Sequence, residues 1–378
     1  MLNELQTELI SQLEKFRKEK IEPFAEADDH AEKFRMDIFK QLGALGFTGM
    51  TTPEDFGGVG LTYQDLCTAL IELSKSSVSY AVTVSVSSMV QSIINEYGND
   101  EQKSKYLPEL ASGEAIGAFA LTESSAGSDA ASLLTTAKKT AKGYILNGSK
   151  IFITSGGIAK TYIVMARTGG EGAAGISAFI VEDGRAGFSY GKKERKMGWK
   201  VSPTRELIFE NCLVPEENML RKEGVGFKIA MSALDRGRIT IGSIGVGLAE
   251  RALDEAMKYA LERKQFKKSI FDFQALQFML ADMATEIESS RLLVRQAAKL
   301  FDEKRNDQKL ASMAKLKATD TAMKVTTDAV QILGGVGYTS EYPLERFMRD
   351  AKVLQIVEGT NQIQRVVIAR KLKGEYDS

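Results

Sequence analysis

The stretch Tyr144–Thr154, YILNGSKIFIT, places Asn147-Gly148 between flanks rich in β-branched and aromatic residues. Asn-Gly readily adopts the positive φ angles of a tight turn, so the stretch predicts a β-hairpin. Tyr162–Ala166, Ile176–Val181 and Glu206–Phe209 share the same residue bias, with glycines and charged turns between them. From about 119 to 215 the chain therefore predicts β structure, a small antiparallel barrel or sandwich.

On either side the apolar period becomes helical. Upstream, Leu2, Leu5, Leu9 and Leu13 share a face, and Arg35–Leu45, Tyr63–Ser74 and Val84–Tyr97 fit further helices. The Pro/Gly-rich Thr51–Leu61 segment reads as a loop. Downstream, Leu253, Met257 and Leu261 recur every four residues, and Leu276, Leu280, Met283, Ile287 and Val294 line a long helix. Another helix runs roughly from Lys309 to Leu333 and stops at Gly334-Gly335. Long helices with short connections make an antiparallel bundle. The expected fold is α+β: an N-terminal α-helical domain (1–118), a middle antiparallel β domain (119–222) and a C-terminal four-helix bundle (223–378).

Lys plus Arg equals Asp plus Glu, 50 against 50, which gives no electrostatic reason to expect nucleic-acid binding. No apolar run is long enough for a transmembrane helix, so no integral membrane association is expected. The charged N-terminus lacks the apolar core of a signal peptide, and a cytoplasmic location follows as the simplest expectation. Two cysteines, Cys67 and Cys212, exclude a disulfide framework and a cysteine zinc cluster, and no metal site is expected. His30 is the only histidine, so histidine triads and histidine acid/base chemistry are nearly excluded. An enzyme built this way must work with carboxylates or a cofactor.

Six segments have chemical potential, each with a bland reading beside it. Phe119–Asp129, FALTESSAGSD, lets backbone N–H groups approach a phosphate or flavin edge, or is a polar interdomain loop. Phe152 and Thr154 share a strand face that suits a planar cofactor, or is merely half-buried. Asp235 and Arg238, in LDRGR just before a long helix, share a face or form an ordinary intrahelical ion pair. Arg263–Phe266 with Gln274 sits between two helices. Gln331–Gly335, QILGG, can be only a helix stop. Glu358, in VEGTNQIQR, precedes a helix starting near Asn361 and can be a dipole partner there.

Taken together, FALTESSAGSD, QILGGVG, YPLERFMRDAK and VEGTNQIQR occur in the order and approximate spacing of the acyl-CoA dehydrogenase family, which nearly the whole chain resembles. The likeness is to bacterial short- or medium-chain members. It implies FAD as cofactor, an acyl-CoA substrate, electron-transfer flavoprotein as acceptor, and a homotetramer built as a dimer of dimers. By motif, Glu358 matches the catalytic base. Phe119, Leu121, Thr122 and Ser128 match the flavin loop, and Phe152 and Thr154 match the pair against the isoalloxazine. Arg263, Phe266 and Gln274, with Gln331, Gly334 and Gly335, resemble residues that reach a neighbouring subunit's FAD. Thr360 and Gln362 resemble cofactor contacts near the base. Ser128, Asp235, Arg238 and Gly359 resemble positions touching the acyl-CoA. The implied reaction is α,β-dehydrogenation to the trans-2-enoyl thioester, with fatty acid β-oxidation as its setting.

The chain departs from the family pattern at Val357, usually Tyr, at Lys267, often Gly, and in a flavin loop without the Pro common after Thr-Glu. Some subfamilies carry the base on the LDxxR helix; here Gly237 stands there, which favours Glu358. An oxidase of the same fold, a dehydrogenase of a carrier-protein thioester and a non-catalytic helical scaffold are the competing readings. The chain ends soon after the base helix, whereas oxidases of this fold usually add a C-terminal domain.

Overall fold

The computed structural model describes residues 4–377, so Leu2 lies outside the described residues. Six helices precede the sheet: α1 (Glu4–Phe16), α2 (Ala25–Ala31), α3 (Met36–Ala44), α4 (Tyr63–Ser74), α5 (Val78–Tyr97) and α6 (Asp100–Ala111). Side-chain caps set several of their starts. Thr62 and Asp65 form a reciprocal capping box at α4, and Asn99 and Gln102 form another at α6. Thr51–Leu61 is a loop around one short 3₁₀ turn, Glu54–Phe56.

The middle region is one seven-stranded sheet: β1 (Gly117–Ala120), β2 (Thr136–Thr140), β3 (Gly143–Thr154), β4 (Thr161–Arg167), β5 (Ile176–Glu182), β6 (Phe188–Lys193) and β7 (Thr204–Val214). Two features differ from the sequence expectation. The sheet is mixed rather than purely antiparallel, because β4 pairs in parallel with β1 and, at Thr136–Arg167, with β2. Asn147-Gly148 is not a hairpin turn. It is a bulge within the continuous strand β3, where the register against β7 shifts between Leu146 and Gly148. Gly148 has φ +138°, which suits a bulge as well as a turn. The Asn147 side chain accepts from Asn211 N at 2.8 Å, so it stitches strands instead of closing a loop. The turn itself lies two residues before β3, across Thr140–Gly143.

The C-terminal region holds α7 (Gly226–Glu262), a small β8–β9 ribbon (Lys264–Gln265 and Lys268–Ser269), α8 (Gln274–Asp302), α9 (Gln308–Leu333), a short α10 (Gly335–Tyr338), α11 (Leu344–Leu354) and α12 (Asn361–Tyr376). The long helices pack as a bundle, with α7 against α4, α5, α8 and α9, and α9 also against α11 and α12. Small residues on α9, Ala311, Ala314, Ala318 and Ala322, are fully buried and allow this close approach. Several polar joints tie the β region to the helices. Gly117 N donates to Ser87 Oγ on α5 at 3.2 Å. Trp199 donates through its backbone N and Nε1 to Asp350 on α11, at 2.6 and 3.1 Å. Burial pushes the Asp350 carboxyl up to about 6, against the backbone hydrogen bond from Trp199.

Candidate active site

The turn from α11 to α12 places Glu358 where α7, α9 and α5 converge. Glu358 has φ +54° and Gly359 φ +85°, two consecutive left-handed residues. Such a conformation is costly for a non-glycine residue and persists where the surroundings over-determine it. Here Gln364 Nε2 donates to the Glu358 and Gly359 carbonyls at 3.0 and 2.8 Å. Thr360 caps α12 by accepting from Ile363 N at 3.2 Å. Glu358 N–H has no acceptor among the described residues.

Although Glu358 as a whole is only half-buried, its Oε2 has no solvent contact and no hydrogen-bond partner. Burial pushes its carboxyl up to about 7, while Arg238 and Lys315 pull the other way. The carboxylate occupies the space a side chain at position 237 would fill. A Cβ on Gly237 would stand 2.6 Å from Glu358 Cδ and Oε2 and 2.7 Å from Met89 Cε. Gly237 and Met89 also line a small crevice, whose walls include Tyr63, Leu66, Ser85, Ser88, Arg236 and Thr240.

LDRGR lies inside α7 and not before it, since that helix already begins at Gly226. Asp235 and Arg238 do share a face, and Arg238 donates to Asp235 at 2.6 Å. Both are buried, so this is no surface pair. Gln308 also donates to Asp235, at 2.6 Å, and burial raises the Asp235 carboxyl despite these partners. Arg238 Nε stays buried without an acceptor.

The sheet brings the first and second segments together. Ile151 N donates to Thr122 O at 2.9 Å, which sets Phe152 and Thr154 beside the Phe119–Asp129 loop. The fully buried Lys150 anchors that loop, donating to Leu121 O at 3.1 Å and to Glu123 Oε1 at 2.7 Å. Glu123 in turn accepts from Leu134 N and Thr135 N at 2.5 and 2.9 Å. Burial opposes the Glu123 charge, but Lys150 and these donors hold its carboxyl below the ordinary value. Glu123→Ala leaves a buried ammonium unpaired and is expected to cost about 3–5 kcal/mol. Urea unfolding checks this; an unchanged midpoint contradicts it.

Around this anchor the surfaces are open. Phe152 is 61% exposed at φ +58°, Thr154 and Thr122 are half-buried, Ser128 is exposed, and a Cβ on Gly127 would meet nothing within 4 Å. Phe119 is half-buried and Leu121 buried behind them. An exposed aromatic face, a small-residue loop and nearby hydroxyls fit an isoalloxazine ring with its polar edge. Arg263, Phe266, Gln274, Gln331, Gly334, Gly335 and Gln362 are all exposed, with Phe266 at 88%. Of these, Gln362 adjoins the Glu358 turn, in the first turn of α12. Sequence reasoning missed Lys315, Asn361 and Gln364, which hold the Glu358 turn from below.

Comparison with known proteins returns one family. Residues 3–114, 118–212 and 224–373 match the N-terminal, middle and C-terminal domains of acyl-CoA dehydrogenase. The chain is 50% identical to an "Acyl-CoA dehydrogenase" of Bacillus subtilis over 95% of each chain. It superposes on butyryl-CoA dehydrogenase from Megasphaera elsdenii with TM-score 0.97 and 44% identity, covering 98% of this chain and 99% of that one. A chain solved in work on the "Electron transferring flavoprotein of Acidaminococcus fermentans" gives TM-score 0.97 and 50% identity, over 98% of each.

Proposed function

Because this chain belongs to the acyl-CoA dehydrogenase family, we propose that it oxidises a short acyl-CoA to the trans-2-enoyl-CoA with Glu358 as the base. The observation that carries this reading is the Glu358 carboxylate, desolvated, unpartnered and raised to about 7. A carboxylate in that state removes a weakly acidic α proton far better than a solvated one. The negative charge that then grows on the thioester oxygen needs a donor, and the unpaired Glu358 N–H can supply one. A short acyl group is the length taken in this reading, and Gly237, Met89, Tyr63, Leu66 and Arg236 line a small crevice beside the base. The Megasphaera butyryl-CoA relative supports the same length.

FAD is the cofactor in this reading, held by the Phe119–Ser128 loop, Phe152 and Thr154, with Thr360 and Gln362 near the base. When bound, it supplies the acceptor for the hydride that leaves the β carbon. Asp235, Arg238, Ser128 and Gly359 serve the acyl-CoA. Exposed Arg263, Phe266, Gln274, Gln331, Gly334 and Gly335 complete the FAD site of a neighbouring copy in a homotetramer. Apolar residues left open on this side, including Leu261, Phe266 and Tyr338, support that assembly. Arg263→Ala is expected to weaken FAD retention; unchanged flavin occupancy after dialysis counts against the role. Electron-transfer flavoprotein is the onward acceptor, consistent with the Acidaminococcus neighbour. A cytoplasmic site of action belongs to the same proposal; among the described residues no helix is long and apolar enough to cross a membrane. The proposed domain division at 222/223 lies just before α7, which starts at Gly226, whereas the one at 118/119 falls inside β1, which starts at Gly117.

Anaerobic titration of the flavin-loaded protein tests the activity and chain length together. Butyryl-CoA is expected to bleach the flavin rapidly, and octanoyl-CoA to do so with at least about tenfold lower kcat/KM. Absence of bleaching by either sinks the activity, and a preference for octanoyl-CoA sinks the short-chain reading. Rapid reoxidation of the bleached enzyme by air, rather than by electron-transfer flavoprotein, identifies an oxidase instead.

A further inference from the structure

We propose that Lys315 is a positioning residue for Glu358, fastening the turn that carries the base and supplying the buried positive charge that balances its carboxylate. The proposal rests on Glu358 being the base and extends that reading to how the base is held.

Lys315 lies on α9 with its side chain fully buried. Its Nζ donates to Gly359 O at 3.1 Å and to Asn361 Oδ1 at 2.8 Å. These two acceptors flank Thr360, so one ammonium clamps both ends of the step from the left-handed turn into α12. Asn361 is locked further by donating to Thr319 Oγ1 at 3.0 Å and Asp320 Oδ1 at 2.7 Å. The clamp therefore fixes the Gly359–Thr360 peptide, one step beyond Glu358, and through the turn it restrains the carboxylate and its backbone N–H.

The position is a poor one for a cation unless an anion compensates. Burial disfavours the charge, and the N-terminus of α12 presents the positive end of its dipole. Charges on the surrounding elements identify the compensating group. On α7, Arg238 is paired with Asp235 at 2.6 Å. On α9 and α12, Asp320 is shared with Arg365 at 3.2 Å. On α4, the buried Tyr63 is held neutral, its pKa raised chiefly by burial. On α5, the contact to the base is the uncharged Met89. Glu358 exerts the largest attraction on Lys315, with Asp320 adding a smaller one, and burial brings the Lys315 ammonium down to about 7 against both. A simple helix-packing lysine needs none of this arrangement.

The test separates the clamp from the charge. Lys315→Met removes both, Lys315→Gln keeps a donor without charge, and Lys315→Arg keeps charge and donors. Taking away the positive charge makes the ionised Glu358 less favourable, so its pKa rises. The acidic limb of kcat/KM is expected to move up by about one pH unit in Lys315→Met and Lys315→Gln. Lys315→Arg is expected to keep the limb near its original position. At pH high enough to ionise the base, Lys315→Met is expected to retain its KM but lose about tenfold or more in kcat from misplacement of the base. Lys315→Gln should recover part of that loss. An infrared titration of the Glu358 carboxyl, by difference against Glu358→Gln, reads the same shift without turnover. Should Lys315→Met not fold, Lys315→Gln carries the measurement. An unmoved limb and carboxyl titration in the folded charge-removing variants overturn the proposal, as does a limb that moves equally in Lys315→Arg. An active Glu358→Gln enzyme would instead sink the base assignment itself, so the two failures are distinguishable.

Discussion

Glu358→Gln is expected to leave a folded, flavin-binding protein that has lost at least about a thousandfold in kcat. The substitution keeps the side-chain volume and removes the carboxylate proposed as the base. Oε2 has no hydrogen-bond partner to lose, so the fold gives up no hydrogen bond there. The amide also escapes the desolvation that burial imposes on the ionised carboxylate, so thermal stability should hold or rise. The measurement is paired: flavin absorbance and melting temperature for integrity, then single-turnover bleaching by butyryl-CoA for chemistry. A variant that keeps a tenth or more of the bleaching rate rules out Glu358 as the base.

Gly237→Ala separates stability from activity in the opposite manner. The position lies mid-helix in α7, where alanine is favoured over glycine by up to about 1 kcal/mol. The added methyl would meet Glu358 Cδ and Oε2 at 2.6 Å and Met89 Cε at 2.7 Å, all far ends of flexible side chains. They can swing aside, so the fold survives while the carboxylate leaves its seat. A displacement of about 1 Å at a reacting group costs roughly a hundredfold in rate. The expected result is an unchanged or higher melting temperature with kcat/KM for butyryl-CoA down about a hundredfold. Wild-type turnover would show that the base does not need this seat.

The reading of Gly237 shows what the chain discloses in one dimension. The absence of an acid in LDRGR pointed to Glu358 by elimination, and the structure shows why the two fit together: the glycine makes room for the carboxylate. Helical and β regions were legible because their apolar periods differ, and α4 runs over Tyr63–Ser74 as its period predicts. The parallel pairing of β1 with β4 was not legible, since strand order depends on contacts between segments far apart in sequence. Asn147-Gly148 misled because a bulge and a turn ask for the same positive φ. Lys315 escaped notice because lysines in long helices ordinarily face solvent. One signal was available: Lys315 falls in the stripe of buried alanines at 311, 314, 318 and 322, where a solvated side chain does not belong.

The strand that bears Phe152 has a mechanical consequence. Unbroken from Gly143 to Thr154, β3 is a beam roughly 40 Å long at about 3.3 Å per residue. Near its first end Tyr144 OH is tied to Glu223 at 2.7 Å, three residues before α7. Near its last end Lys150 grips the small-residue loop. A true hairpin at Asn147-Gly148 would have put a pivot between those anchorages. The bulges at Leu146/Gly148 and Lys150/Ile153 instead bend one continuous strand, so the root of α7 and the exposed aromatic are joined by the same member.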